Sequence, residues 1–240
     1  MGDRFRGATV VVIGGSSGIG LATAAAALDE GADVVITGRS IERLEAAAEV
    51  LDGRARTVSL DSADESGTRA LFESLDVVHH IFVSAAMVGA GAITDETERL
   101  RPLLDTRVWG SVFAAKHGAP RMTEGGSITF CSGVSSLRPR RGGSGVAAAS
   151  AAAVESLGRS LAVELAPIRV NVVMPGLVNT PLVSGMFGDR HDDAMEAVGK
   201  TLPVGRVGEP EDIADAVLFL MGNGYVTGTT LIIDGGRLLV

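Results

Sequence analysis

At 240 residues, with 46% hydrophobic and 21% charged residues, the chain is long enough for one α/β sheet with a sizeable core and too apolar to be disordered. A net charge of -8 argues against nucleic acid as a partner. The single cysteine, Cys131, excludes an internal disulfide and suits a reducing cytoplasm, and the histidines and carboxylates show no metal-ligand spacing.

The first apolar run, Ala8 to Val12, reads as a strand. It feeds the glycine turn Ile13-Gly14-Gly15-Ser16-Ser17-Gly18-Ile19-Gly20 and an alanine-rich helical segment from Leu21 to Leu28. Strand, glycine turn and helix form the layout that receives a dinucleotide pyrophosphate. The helix start offers unpaired N–H groups and the positive end of its dipole, and glycine lets the backbone approach the phosphates. Gly7 to Leu28 carries no charge, but Gly14, Gly15, Gly18 and Gly20 interrupt it. It therefore reads as part of a soluble domain and not as a signal peptide or membrane span.

Asp33 to Thr37 is the second strand, ended by Gly38-Arg39-Ser40; Ser40 can cap a helix from Ile41 to Val50 whose Arg43 and Glu45 face water. Arg56 to Leu60 is a third strand, closed by Asp61-Ser62. A helix from Asp64 to Leu75 and a strand from His79 to Val83 follow. Thr97 to Ala119 reads as one helix with Pro102 near its first turn. Ser127 to Cys131 is a fifth strand, Ala147 to Leu165 a long helix stopped by Pro167, and Ile168 to Val173 a sixth strand ended by Pro175-Gly176. Pro210 opens a helix to Met221, and Thr230 to Ile233 is the last strand. The alternation predicts a doubly wound parallel sheet of about seven strands in three α/β/α layers, one domain over residues 1–240. Its ligand is expected at the carboxyl ends of the strands.

The spacing Gly14, Gly18, Gly20 is G-x-x-x-G-x-G, and it resembles the short-chain dehydrogenase/reductase family. So do Ile168 to Gly176, Thr180-Pro181, Gly205 to Ala214, Tyr225-Val226-Thr227-Gly228 and Asp234-Gly235-Gly236. The resemblance covers nearly the whole chain and implies that the sheet is Rossmann-like, with a nicotinamide cofactor, a small-molecule substrate and a homodimer or homotetramer. Carried over residue by residue, it implies cofactor contacts at Gly14, Ser16, Ser17, Gly18, Ile19, Gly20, Arg39, Asp61, Ser62, Ser84, Ala85, Pro175, Gly176, Val178 and Thr180. It places a substrate lid at about 182–202, with Met186, Phe187 and Met195 as its apolar face, and a helix-bundle interface along the small residues Ala147 to Ala153.

Cofactor choice turns on the end of the second strand. A carboxylate there would repel a 2′-phosphate, but the chain has Gly38 followed by Arg39. A guanidinium can grip phosphate with two parallel hydrogen bonds, so NADP is expected over NAD; the alternative is an ordinary solvated charge. Asp61 stands at the family's adenine-contacting position, or serves as a turn residue.

The catalytic half of the resemblance breaks. Alignment on Ser160 to Glu164 and Arg169 to Asn171 puts Ala147 at the position of the proton-donating tyrosine and Ala151 at that of its lysine. The substrate-orienting serine falls near Ser132 or Gly133, and the proton-relay asparagine falls on Arg107. The usual Asn-Asn-Ala-Gly reads Ser84-Ala85-Ala86-Met87. The one tyrosine is Tyr225, and the lysines are Lys116 and Lys200. Ser132 remains a candidate for holding substrate or for satisfying backbone groups. Arg107 remains a candidate to replace the lysine charge or to pair with Asp105. Arg138, Arg140 and Arg141 form a basic cluster that could meet an anionic substrate, a subunit or water. Two readings follow: an NADP-dependent oxidoreductase with unorthodox proton delivery, and an NADP-binding sensor or partner subunit without turnover.

Overall fold

The apolar run Thr9–Ile13 forms the central strand β1, with four of its five residues buried. The computed structural model describes residues 2–85, 92–139 and 145–240, with Met186 described by its backbone alone. Ala86, Met87, Arg140 and Arg141 therefore lie outside the described residues. The other strands are β2 (Asp33–Gly38), β3 (Arg56–Ser59), β4 (Val78–Val83), β5 (Met122–Cys131), β6 (Arg169–Pro175) and β7 (Thr230–Ile233). All pair in parallel, in the order β3-β2-β1-β4-β5-β6-β7.

Alternate side chains of each strand serve opposite layers, because successive Cβ atoms point to opposite faces. Val10 and Val12 pack with Ile36, Leu28, Val217 and Leu220 on one face. Val11 and Ile13 pack with Ile81, Ile128, Phe72 and Val154 on the other. The first layer holds α1 (Gly18–Asp29), α2 (Ile41–Val50) and α9 (Pro210–Gly222). The second holds α3 (Glu65–Glu73), α5 (Gly110–Gly118) and α6 (Gly145–Glu164). The chain is thus a single-domain α/β fold with the expected seven strands. Strand order reverses between β1 and β4, and this reversal opens the crevice at their carboxyl ends.

The largest departures from the sequence expectation lie in two elements, the others shifting by three residues or fewer at an end. β5 starts at Met122 rather than Ser127, because Met122 pairs with Val78 and a register shift before His80 absorbs the extra residues. The helix expected from Thr97 to Ala119 is α4 (Thr97–Leu104), a π-helical turn at Asp105–Trp109, and α5. The π turn carries Arg107, and Ser111 Oγ donates to the Arg107 carbonyl at 2.6 Å. Such single-turn widenings have no periodicity signature in the sequence. α6 is long and apolar enough to span a bilayer, with a mean hydropathy of 1.2, but it packs against β5 and β6 and buries Val154, Gly158 and Leu161.

Candidate functional site

β1 delivers the glycine turn to the crevice. Gly14 sits at φ +90°, and a Cβ there would lie 2.6 Å from the Ala85 nitrogen. A Cβ at Gly20 would lie 2.1 Å from the Gly14 carbonyl oxygen, so only glycine allows α1 to start this close to β1. Ser84 locks the turn: its Oγ donates to the Gly14 carbonyl at 2.9 Å, while the Ser84 and Ala85 N–H groups donate to the Ile13 carbonyl. Ser17 is the N-cap of α1, yet its side chain makes no capping hydrogen bond, and the first turn has no acidic residue. The first N–H groups of α1 are thus left for an anion from outside the chain.

A cavity of about 820 Å³ opens on this turn. Ser16, Ser17, Gly18, Ile19 and Gly20 line one wall, with Ser62, Ser84 and Ala85 beside them. Gly38, Arg39, Ser40 and Arg43 also line the cavity, from the end of β2, which adjoins the turn: the Gly14 and Gly15 N–H groups donate to the Thr37 carbonyl. Among the described residues, neither Arg39 nor Arg43 forms an ion pair. The sequence read Arg43 as a water-facing helix residue. It is exposed, but Ser40 caps α2 by accepting from the Arg43 N–H at 3.2 Å, and the cap sets this first turn against the cavity. A cradle of glycine, an uncapped helix start and two arginines on the same cavity fit a phosphorylated dinucleotide.

Thr180, Pro181, Leu182 and Gly185 close the cavity from the side of α7 (Pro181–Phe187), which precedes α8 (His191–Gly199). Thr180 caps α7 through Val183. Met195 packs inward at 8% exposure, Phe187 is half-buried, and the Met186 side chain lies outside the described residues. Other residues expected to touch the cofactor make these contacts within the protein. Asp61 turns Oδ1 to the Ala63 N–H at 3.0 Å, a local turn contact, while Ser62 and Leu60 face the cavity. Gly176 donates to the Ile233 carbonyl, and Pro175 pairs with Ile233 in the sheet. Val178 is buried and bridges to Gly208.

The region of Ala147 and Ala151 is built from α6, the π turn and the end of β5. Ala151 is wholly buried and Ala147 nearly so. Arg107 is 7% exposed; its Nη1 donates to the Ala147 carbonyl at 3.3 Å and to Ser150 Oγ at 3.4 Å. Among the described residues, its Nε has no partner and no ion pair joins it to Asp105. Burial lowers the guanidinium pKa from its ordinary value. Burial also pushes the Cys131 thiol up to about 11, partly opposed by the positive charge of Arg107. Ser132, 4% exposed, directs Oγ to the Ala151 carbonyl at 3.2 Å and to Glu155 Oε1 at 2.8 Å. Glu155 was not singled out in the sequence.

The remaining candidates stand apart from this cluster. Lys116 pairs with Glu65 at 2.7 Å and Lys200 pairs with Glu196, each on the surface. Tyr225 is 99% exposed beyond the end of α9. Arg138 donates to the Arg237 carbonyl. The small-residue face of α6 is split: Ala147, Ser150 and Ala151 turn inward, while Ala149 and Ala152 are exposed.

A protein-family model described as enoyl-(acyl carrier protein) reductase matches residues 13–237. The chain is 34% identical to carbonyl reductase family member 4 of Danio rerio over 239 residues, covering 96% of this chain and 98% of that one. It is 35% identical to an NADP-dependent (R)-specific alcohol dehydrogenase of Lentilactobacillus kefiri over 251 residues, covering 98% of both. Among solved structures, a small-chain dehydrogenase in complex with NADPH superposes with a TM-score of 0.83 at 37% identity, over 98% of this chain and 100% of that one.

Proposed function

The chain belongs to the short-chain dehydrogenase/reductase family, and from that premise we propose that it is an NADP-dependent oxidoreductase acting on a small carbonyl or alcohol substrate. The observation that carries this reading is the one cavity lined both by the uncapped start of α1 and by Arg39 and Arg43. The N–H groups at the start of α1 would hold the pyrophosphate. Arg39 and Arg43 would hold the 2′-phosphate in a fork of charge-assisted hydrogen bonds. When bound, the cofactor supplies or accepts the hydride.

The chain's own residues do the positioning. Arg107 stays charged at working pH and acts as an electrostatic clamp on ribose hydroxyls or an anionic substrate group, not as an acid. Ser132 orients the substrate oxygen at the end of β5. Residues 182–202 act as a lid whose α7 excludes water from the crevice. The exposed Trp109 and Leu104, with Ala149 and Ala152, fit a homodimer or homotetramer interface in a cytoplasmic enzyme.

The test is calorimetric titration with NADPH, followed by NADPH oxidation against a panel of ketones, aldehydes and conjugated enones. Saturable NADPH binding with turnover of at least one carbonyl class is expected. Failure to bind NADPH overturns the reading, and binding with no turnover throughout the panel identifies a nucleotide-binding protein without redox function.

A further inference from the structure

Ala147, Ala151 and Glu155 succeed one another at intervals of one helical turn on α6, so they share one face. That face looks at the end of β5 and the short helical turn Val134–Ser136 that follows it. Glu155 is 8% exposed. A buried carboxyl group must be hydrogen-bonded. Its Oε1 lies 2.8 Å from Ser132 Oγ and 2.7 Å from Ser136 Oγ. Each serine also has a backbone acceptor at 3.2 Å: the Ala151 carbonyl for Ser132 and the Gly133 carbonyl for Ser136.

A serine hydroxyl has one proton to give, so each must choose between its two acceptors. This leaves two complete arrangements. With Glu155 ionised, both hydroxyls donate to it. With Glu155 protonated, its O–H donates to Ser132 Oγ, Ser136 can turn to the Gly133 carbonyl, and the Ser132 proton is released for the Ala151 carbonyl or for a substrate oxygen. The charged and titratable groups on the elements packed against α6 are Glu98, Arg99 and Arg101 on α4, Asp105 and Arg107 on the π turn, Cys131 and Glu124 on β5, and Arg169 on β6. Arg107 donates to the Ala147 carbonyl and Ser150, and Arg169 to carbonyls of Leu220, Met221 and Val226. Among the described residues, no cation lies within ion-pair distance of Glu155. Among the described residues, the carboxyl group is held by the two serine hydroxyls and by no salt bridge.

We propose that Glu155 and Ser132 form a proton relay that takes the place of the missing tyrosine and lysine. The proposal rests on the oxidoreductase reading above. In the reducing direction a hydride reaches the carbonyl carbon as the C=O π bond opens. The Ser132 O–H bond breaks and its proton bonds to the substrate oxygen. The Glu155 O–H bond breaks in turn and its proton bonds to Ser132 Oγ. The products are the alcohol, a neutral serine and a Glu155 carboxylate, which solvent reprotonates. Ser132 touches the substrate; Glu155 acts through it as a positioning residue and proton reservoir. Because reduction draws on the protonated form, the rate rises as pH falls, and alcohol oxidation shows the opposite trend.

The test uses the full-length protein, NADPH, and ethyl 3-oxobutanoate as probe, with kcat/KM followed from about pH 5 to about pH 8. For the wild type, kcat/KM is expected to climb with acidity. Glu155→Gln should flatten that dependence and lower kcat by about 10²- to 10⁴-fold, the usual worth of general acid catalysis, with KM little changed. Ser132→Ala should lose the same pH dependence. Independently of turnover, infrared difference spectra of the cofactor-free protein on acidification should show a carboxylic-acid C=O band that Glu155→Gln removes. If Glu155→Gln does not fold, Glu155→Asp, which shortens the reach to Ser132, should reduce the rate while keeping a pH-dependent profile. An active wild type with a flat profile, an unaltered Glu155→Gln rate, or absence of the acid band overturns the relay and leaves the oxidoreductase reading standing. A wild type that binds NADPH and reduces neither this probe nor any member of the carbonyl panel at any pH overturns both.

Discussion

Arg107 Nη1 donates to the Ala147 carbonyl at 3.3 Å, joining the π-helical turn to the first turns of α6. The same carbonyl accepts from Ser150 Oγ at 2.8 Å. The guanidinium is therefore anchored at one corner while its Nε has no partner among the described residues. A buried cation left partly unsatisfied is costly for folding and can be completed by an anionic or hydroxylated ligand.

Arg107→Met should separate ligand binding from stability. The substitution removes two hydrogen bonds but also a buried charge, and such exchanges tend to cancel, so the unfolding free energy should move by no more than about 2 kcal/mol. NADPH affinity should fall by about tenfold, equivalent to about 1.4 kcal/mol. Urea unfolding and calorimetric titration check both. Unchanged NADPH and substrate affinity would make Arg107 a structural residue only.

Arg39 and Arg43 should share cofactor discrimination. Loss of a charge-assisted phosphate contact costs on the order of 1–3 kcal/mol, so Arg39→Ala should narrow the preference for NADPH over NADH by about tenfold or more. Arg43→Ala should narrow it too, and the double variant should approach parity. Titration of all variants with both cofactors decides; equal affinities in the wild type would refute the assignment.

His80 should make the protein acid-sensitive. Its Nδ1 lies 2.9 Å from Ser127 Oγ, and Phe5 packs edge-on to its ring. Desolvation is the main cause that lowers its pKa from 6.5 to about 4, with the positive charge of Arg169 adding to it. The folded pKa lies below the unfolded one, so between these values the unfolded chain binds more protons. Stability is then full above about pH 6.5 and declines as pH falls to about 4, by on the order of 3 kcal/mol in all. His80→Gln should be less stable at neutral pH but show a flatter decline through this window. Thermal melts at stepped pH test this, and a parallel decline in both proteins would exclude His80 as the cause.

The sequence by itself determined the sheet and the glycine turn that lines the crevice. Strands such as Ala8 to Val12 read as β because their apolar runs are short, β-branched and bounded by turn residues. The glycines at 14 and 20 read as a phosphate turn because their need for a positive φ or a close backbone approach is local to the chain. Arg39 was legible because it follows directly on a strand end. Only the tertiary structure decided the rest. Arg43 lines the cavity because the Ser40 cap fixes the start of α2, a matter of helix phase. Arg107 meets Ala147 across 40 positions of chain through a π turn that leaves no periodic trace. Glu155 gave no signal, since a glutamate within a long helix reads as solvated until β5 brings Ser132 to its carboxylate. Contacts within one turn are written in residue order; contacts between layers depend on how the sheet twists its helices together, and that is fixed by the packing of the whole chain.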